Sequence, residues 1–280
     1  MTTSAHDDAP RYKAELTGVS ETALLTLYSR AREARRPDAI LDDPMAVRLV
    51  ESIDYNFTRF GTTRQDMALR AKAFDIRTRR YLADHPRARV VALAEGLQTS
   101  FWRLDAAVAD SQFTWLTVDL PPIVDIRNRL LPADPRITTV AQSALDYSWM
   151  DRVDTSDGVF ITAEGLLMYL QPEQALDLIA ACAKRFPGGA MLFDLPPAWF
   201  AGLAQRGWLR PSLRYTVPTM PFSMTVTEAA RLVQVEGVRA VHDIPLPPGR
   251  GALFNAAVQN IYRIRPLDGL RGVLTLVEFG

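Results

Sequence analysis

The chain has 280 residues, 48% of them hydrophobic, which is enough to bury roughly three quarters of the unfolded surface in one large domain. Lysine plus arginine equals aspartate plus glutamate at 32 each, so no basic excess draws the protein onto a phosphate backbone, and nucleic-acid binding is not expected. A single cysteine, Cys182, excludes an internal disulfide and a cysteine zinc cluster, and the histidines His6, His85 and His242 show no ligand spacing, so no metal is expected.

In chain order, the segment Met1–Asp8 has neither the basic head nor the apolar core of a signal peptide. No apolar run reaches the roughly 20 residues of a membrane helix. A cytoplasmic protein without a membrane partner is expected, disordered over residues 1–17. Apolar positions at helical spacing predict a helix over 20–36, opened by Ser20. Asp42-Asp43-Pro44 predicts a second helix start, with Pro44 in a first turn where its missing N–H costs nothing. A third helical pattern covers 62–84 and stops at Pro86. Because these helices precede the first sheet strand, residues 18–86 are expected to cap the ligand edge of the sheet.

From residue 89 short apolar runs alternate with helices, the rhythm of a parallel sheet. Strands are predicted near 89–94, 114–119, 137–141, 158–162 and 190–194, and helices near 98–108, 121–130 and 172–186. Pro187-Gly188-Gly189 ends the last of these helices. Residues 196–224, rich in Pro, Trp, Tyr and Met, break the rhythm and are expected to pack as a lid over an apolar ligand or as a plain cover on the core. A helix near 226–235, a strand near 238–244, a helix near 252–260 and a strand near 272–278 bring the strands to seven. The predicted fold class is α/β, with residues 87–280 forming a Rossmann-like unit integrated with the cap. Cys182 reads as a small core residue and His242 as a hydrogen-bonded strand histidine.

The apolar run Val90–Ala94 ends at the turn Glu95-Gly96, a helical pattern follows, and Asp119 closes the next apolar run 23 positions past Gly96. A doubly wound sheet builds a nucleoside site this way: the turn lets backbone approach the ligand, and the carboxylate accepts hydrogen bonds from both ribose hydroxyls. The alternative role for Asp119 is to cap the helix beginning near Pro121. A nicotinamide oxidoreductase would carry Gly-x-Gly-x-x-Gly, which this turn lacks.

The words Phe101-Trp102-Arg103-Leu104, Val118-Asp119-Leu120-Pro121 and Ala163-Glu164-Gly165-Leu166-Leu167-Met168-Tyr169-Leu170, with the opening segments Val19–Leu25 and Asp42–Ala46, carry a family likeness. Over residues 18–280 the chain resembles the leucine carboxyl methyltransferase family and its bacterial relatives that O-methylate polyketides, of the tetracenomycin type. The resemblance implies a class I methyltransferase fold, a seven-stranded, mostly parallel sheet whose last strand runs antiparallel. It also implies S-adenosyl-L-methionine as cofactor, S-adenosyl-L-homocysteine as product, and methyl transfer to a carboxyl or hydroxyl oxygen of a small aromatic or polyketide-like acceptor.

Residue by residue, the resemblance places Asp119 and Leu120 at the ribose and the backbone of Ala94, Glu95 and Gly96 beneath the ribose and methionine. Ser143, Ala144 and Leu145 fall around the adenine, and Glu164 at the methionine end. Arg70, in Arg70-Ala71-Lys72-Ala73-Phe74-Asp75, matches the family's partner for the cofactor carboxylate, with Arg77 and Arg79 as alternatives. Two departures stand out: Ala94 replaces the first glycine of the usual Gly-x-Gly, tolerable only at negative φ, and Gln98 replaces the usual acid. Tyr28, Phe74, Tyr169, Trp199 and Phe254 are candidates for the acceptor pocket. No catalytic base is required for in-line transfer to an ionised oxygen, and Tyr169 and Glu164 are the only candidates for one. Two other readings stay open: a protein C-terminal carboxyl methyltransferase, and a non-catalytic scaffold whose cofactor site has decayed through Ala94 and Gln98.

Overall fold

The computed structural model describes residues 11–108 and 110–280. The first third is mostly helical: β1 (Tyr12–Lys13), α1 (Thr22–Ala34), α2 (Pro44–Ser52), β2 (Ile53–Asp54) and α3 (Asp66–Asp84). The alternating part follows as β3 (Arg89–Leu93), α4 (Ser100–Ala107), β4 (Thr114–Asp119), α5 (Pro121–Leu130), β5 (Ile137–Ala141), β6 (Val159–Ala163), α6 (Pro172–Arg185) and β7 (Ala190–Leu195). The chain closes with α7 (Ala198–Gln205), α8 (Val226–Ala230), β8 (Val238–Asp243), α9 (Ala252–Arg263) and β9 (Val273–Phe279).

The seven-stranded sheet has the order β5-β4-β3-β6-β7-β9-β8. Its first five strands are parallel, and β9 runs antiparallel to both β7 and β8. Both faces of the central strands are covered, which is why they read as continuous apolar runs. Period-two alternation divides them between two cores: Val91, Leu93, Leu116 and Ile161 pack on one face, and Val90, Ala92, Trp115 and Phe160 on the other. Cys182 is buried in the first core.

The start of the chain differs from the expected disorder over 1–17. Residues 1–10 lie outside the described residues, but Tyr12 and Lys13 pair in parallel with Ile53 and Asp54, and Ala14 and Leu16 are buried. A two-residue strand is too short to announce itself in a polar segment, so the pattern missed it. The segment 196–224 covers the core through Tyr215, Met220 and Phe222, and its Trp199 and Leu209 line a cavity. Among the described residues no helix is long and apolar enough to cross a membrane.

A buried polar cluster ties the helical cap to the sheet. Asp43 caps α2 by accepting from Ala46 N at 3.0 Å, and also receives Arg30 Nη1 at 2.6 Å, Arg103 Nη1 at 2.8 Å and the Thr99 hydroxyl at 2.6 Å. Arg30 and Asp43 are wholly buried. Arg30 donates onward to Leu97 O at 2.7 Å, and Arg103 to Asp75 at 2.6 Å, so one network spans α1, α2, α3 and the turn after β3.

Candidate functional site

A cavity of about 950 Å³ runs along the carboxyl ends of the parallel strands, from the loop after β5 to the start of β9. Strand order reverses between β3 and β6, and open α/β sheets hold their ligands at such a switch point. Of the residues expected at the cofactor, Arg70, Ala94, Glu95, Gly96, Asp119, Leu120, Ser143, Ala144, Leu145 and Glu164 all line this cavity.

Asp119 ends β4 and is 6% exposed. Its Oδ2 accepts from Gly96 N at 2.6 Å and its Oδ1 from Leu120 N at 2.7 Å. It does not cap α5, whose N-cap is Leu120 with no side-chain bond. Burial pushes the Asp119 carboxyl up to about 6, although the two backbone N–H groups pull it down. A carboxylate accepts about four hydrogen bonds, so two acceptor positions remain.

The turn itself is held from below. Arg127, buried on α5, donates to Gly96 O at 2.9 Å and Gln98 O at 2.8 Å, and pairs with Glu95 at 3.0 Å. The Glu95 carboxylate also accepts from the Thr117 hydroxyl at 2.7 Å and Trp115 Nε1 at 3.2 Å, so a charged residue is tolerated in the turn because its charge is matched beneath it. Gly96 has φ +61°, and a Cβ there would lie 3.1 Å from Ala23 of α1. Ala94 has φ +47°, so the condition for replacing the family's glycine without strain is not met.

Arg70 is the only arginine of α3 on the cavity; Arg77 and Arg79 lie off it. Its Nε donates to Glu164 at 3.0 Å and its Nη1 to Asp194 at 3.3 Å. Glu164 also accepts from Gln98 Nε2 at 2.6 Å, and Asp194 from Gly165 N at 2.7 Å. Burial raises the Asp194 carboxyl above its ordinary range, with Arg70 opposing. Gly165 at φ +69° lets the guanidinium lie against the turn, since a Cβ there would sit 3.3 Å from Arg70 Nη2. Asp194 was not anticipated, yet it ends an apolar strand as Asp119 does, and that signal was available. Arg127 offered no comparable signal, because a helical arginine declares its partners only once the sheet has formed.

The aromatic candidates divide. Tyr169 and Trp199 line the cavity. Tyr28, Phe74 and Phe254 do not, which corrects three expectations. Tyr28 stacks on Phe57 at 5.4 Å in the core. Phe74 lies one turn beyond Arg70, packs in the second core and borders a separate void of about 20 Å³. Phe254 packs so closely on Gly249 that a Cβ there would stand 2.7 Å from its ring. Burial raises the Tyr169 hydroxyl, which keeps it protonated near neutrality. Neither His85 nor His242 reaches the cavity.

Sheet order, antiparallel last strand and a cavity at the switch point define a Rossmann-like class I methyltransferase fold. Among solved structures, a Thermobifida fusca protein described as a methyltransferase superposes with a TM-score of 0.54 at 17% identity, covering 90% of this chain and 94% of that one. The leucine carboxyl methyltransferase family model matches residues 23–183. The chain is 36% identical over 187 residues to the tetracenomycin polyketide synthesis O-methyltransferase TcmP of Streptomyces glaucescens, covering 66% of this chain and 68% of that protein. It is 28% identical over 205 residues to the S-adenosyl-L-methionine-dependent methyltransferase dpfgK of Gibberella zeae, again covering 66% and 68%. The chain belongs to the leucine carboxyl methyltransferase family, and S-adenosyl-L-methionine is its methyl donor.

The residues present fit that cofactor. Asp119 keeps two acceptor positions for a ribose diol, and Leu120 presents a 44% exposed apolar side chain to the cavity. Glu164 and Asp194 share the guanidinium of Arg70, and Asp119 accepts only from backbone N–H groups, a local concentration of carboxylates that suits a ligand carrying a sulfonium and an ammonium.

Proposed function

We propose that the protein transfers a methyl group to a carboxylate oxygen of a small aromatic, polyketide-like acid. When bound, the cofactor supplies a sulfonium methyl whose positive charge vanishes as the methyl moves to the oxygen. In this reading Asp119 holds the ribose, the backbone of Ala94, Glu95 and Gly96 and the side chain of Leu120 lie against the nucleoside, and Ser143 to Leu145 flank the adenine. Arg70, Glu164 and Asp194 receive the methionine end. The protein's work is to align donor and acceptor and to exclude water.

One observation carries the choice of a carboxylate: the buried acids on the cavity are all engaged. Asp119 accepts from two backbone N–H groups, Glu164 from Arg70 and Gln98, and Asp194 from Arg70 and Gly165. With Tyr169 protonated and both described histidines elsewhere, no buried base on the cavity is left free for the acceptor, and the remaining carboxylate there, Asp66, is solvent-exposed. A phenol, with a pKa of about 10, would need one, whereas a carboxylic acid arrives ionised. Arg64 and Arg210 line the cavity as exposed side chains, without a carboxylate partner among the described residues, and would draw an anion to the mouth. The likeness to TcmP, a polyketide O-methyltransferase, supports the acceptor class.

The test is incubation of the protein with S-adenosyl-L-methionine and a panel of aromatic hydroxy acids, with products read by mass spectrometry before and after alkaline treatment. A methyl ester, lost in alkali, is expected. An alkali-stable ether as the sole product overturns the carboxylate reading, and uptake of S-adenosyl-L-homocysteine without transfer to any oxygen favours a non-catalytic binding protein.

A further inference from the structure

The helix α9 has twelve residues and is strongly amphipathic, yet none of them is buried. An isolated helix of this length is marginal in water and depends on burying its apolar face. Val258, Ile261 and Tyr262, at i, i+3 and i+4, fall on one face, and that face lines the cavity. Beyond the packing of Phe254 on Gly249, what holds the helix is polar and sits at its ends. Ahead of it, the Asn255 side chain bonds both Gly249 N (2.8 Å) and Gly249 O (2.9 Å). Gln65 of the cap makes the same paired contact with Arg250 N (2.7 Å) and Arg250 O (3.2 Å). At the far end the Tyr262 hydroxyl accepts from Leu246 N at 3.2 Å, and the Arg271 guanidinium stands 4.3 Å from the Tyr262 ring. Between these clasps, the half-buried side chains of Val258 and Ile261 line the cavity.

The cavity identifies what covers them. At about 950 Å³ it lies at the top of the range for one drug-sized ligand, about 300 to 1,000 Å³, and it is continuous with the cofactor residues on β3, β4 and β6. The end under α9 lies over β7 and β9, bounded by Trp199, Phe200, Leu209 and Leu274, and this end carries the apolar wall. We propose that α9 is the acceptor-facing wall of the cavity, and that Val258 and Ile261 determine which acceptors fit, the apolar face of the helix being covered by the ring system of the acceptor itself. This rests on the reading that an apolar acceptor shares the cavity with the cofactor. It assigns to the sequence between β8 and β9 a specificity role that the cap and the segment 196–224 do not account for.

The probe is 1-anilinonaphthalene-8-sulfonate, an aromatic anion, titrated by fluorescence into the full chain saturated with S-adenosyl-L-homocysteine. Val258→Trp and Ile261→Trp, which fill the space in front of the helix, should each weaken dye binding by about tenfold or more while the affinity for S-adenosyl-L-homocysteine, read by calorimetry, stays within about twofold. In the unmodified protein, dye binding should slow amide hydrogen exchange over residues 256–263. Dye affinity unchanged in both variants overturns the assignment, and so does protection that appears only elsewhere; the exchange measurement stands even if a tryptophan variant fails to fold. A protein that takes up cofactor and dye as expected but methylates no oxygen acceptor would overturn the proposed reaction and leave the wall in place.

Discussion

Over β3, β4 and β6 the cavity is walled by backbone turns and charged groups held by buried partners, whereas over β7 and β9 it is walled by apolar side chains on segments clasped at their ends. At the first end Arg127 grips the turn from below, Asp119 ties Gly96 to β4, and Arg30, Asp43 and Arg103 lock the cap onto Thr99. At the second end no residue of α9 is fully buried, and Trp199 is 52% exposed, fixed by one bond to Leu270 O. The contrast fits the two tasks proposed for these ends. A site for one constant, charged cofactor gains from pre-organised dipoles, while a site for an apolar acceptor gains from a wall that the acceptor completes.

The largest effect should come from cutting the network that anchors the first end. Burial alone would push the Asp43 carboxyl up, but Arg30 and Arg103 outweigh it and hold the group below the usual carboxylate range. Asp43→Ala leaves two buried guanidinium groups short of a partner, and should cost about 3 to 5 kcal/mol in urea unfolding. The matching cut at the second end is Asp38→Ala, which removes half-exposed ion pairs to Arg250 at 2.7 Å and to Arg36 at 2.9 Å. Its unfolding midpoint should stay within error of the parent. Equal losses from the two cuts would erase the contrast.

The next effect concerns Asp119. Its folded-state pKa of about 6 lies above the ordinary 3.8, so the folded chain holds the proton more tightly than the unfolded one. The stability contributed by this group is complete below the ordinary value and is lost as pH rises through about 6. Cofactor binding follows the opposite slope, because the ribose hydroxyls need the ionised acceptor. Affinity for S-adenosyl-L-homocysteine should therefore tighten as pH climbs from about 5 to about 8, and Asp119→Asn should be flat across that range. At the upper pH the variant should bind about five- to a hundredfold more weakly, roughly 1 to 3 kcal/mol for charge-assisted bonds. A parent protein without this slope would remove Asp119 from the ribose.

The two ends also differ in how far the sequence reveals them. Asp119, Gly96 and Glu164 are legible because a parallel sheet delivers its strand ends to one edge, so a residue's place in a strand-turn-helix word fixes its place in space, whereas Arg70, on α3, is reached only through the family resemblance. The second wall is assembled from residues near 199, 209, 258 and 273, which no local pattern connects. Aromatic type alone misleads there. Thr22, Thr26 and Ser29 mark the cavity face of α1, and Tyr28 falls off that face into the core. Phe254 shares a face with Val258 but sits one turn earlier, where it folds onto Gly249. Backbone conformation was equally hidden: the sequence poses the question of φ at residue 94, and only the turn answers it.

That answer yields the smallest predicted change at the first end and the cleanest check on it. Ala94 is held at φ +47° by a hydrogen bond from its N–H to Val118 O at 2.8 Å and by the turn that Asp119 and Arg127 fix on either side. An L-residue in the left-handed region carries a penalty of about 1 to 2 kcal/mol, which glycine does not. Glycine in turn gives the unfolded chain more freedom, at about 0.5 to 1 kcal/mol. The difference favours Ala94→Gly by about 0.5 to 1 kcal/mol, which for a chain of this size is a rise in Tm of about 1 to 3 °C in calorimetry. Affinity for S-adenosyl-L-homocysteine should hold or improve, since the turn keeps its shape and loses a methyl group on the cavity side. A fall in Tm would mean that the turn does not impose the left-handed conformation, and the rigid cofactor end would then be no better pre-organised than the acceptor end.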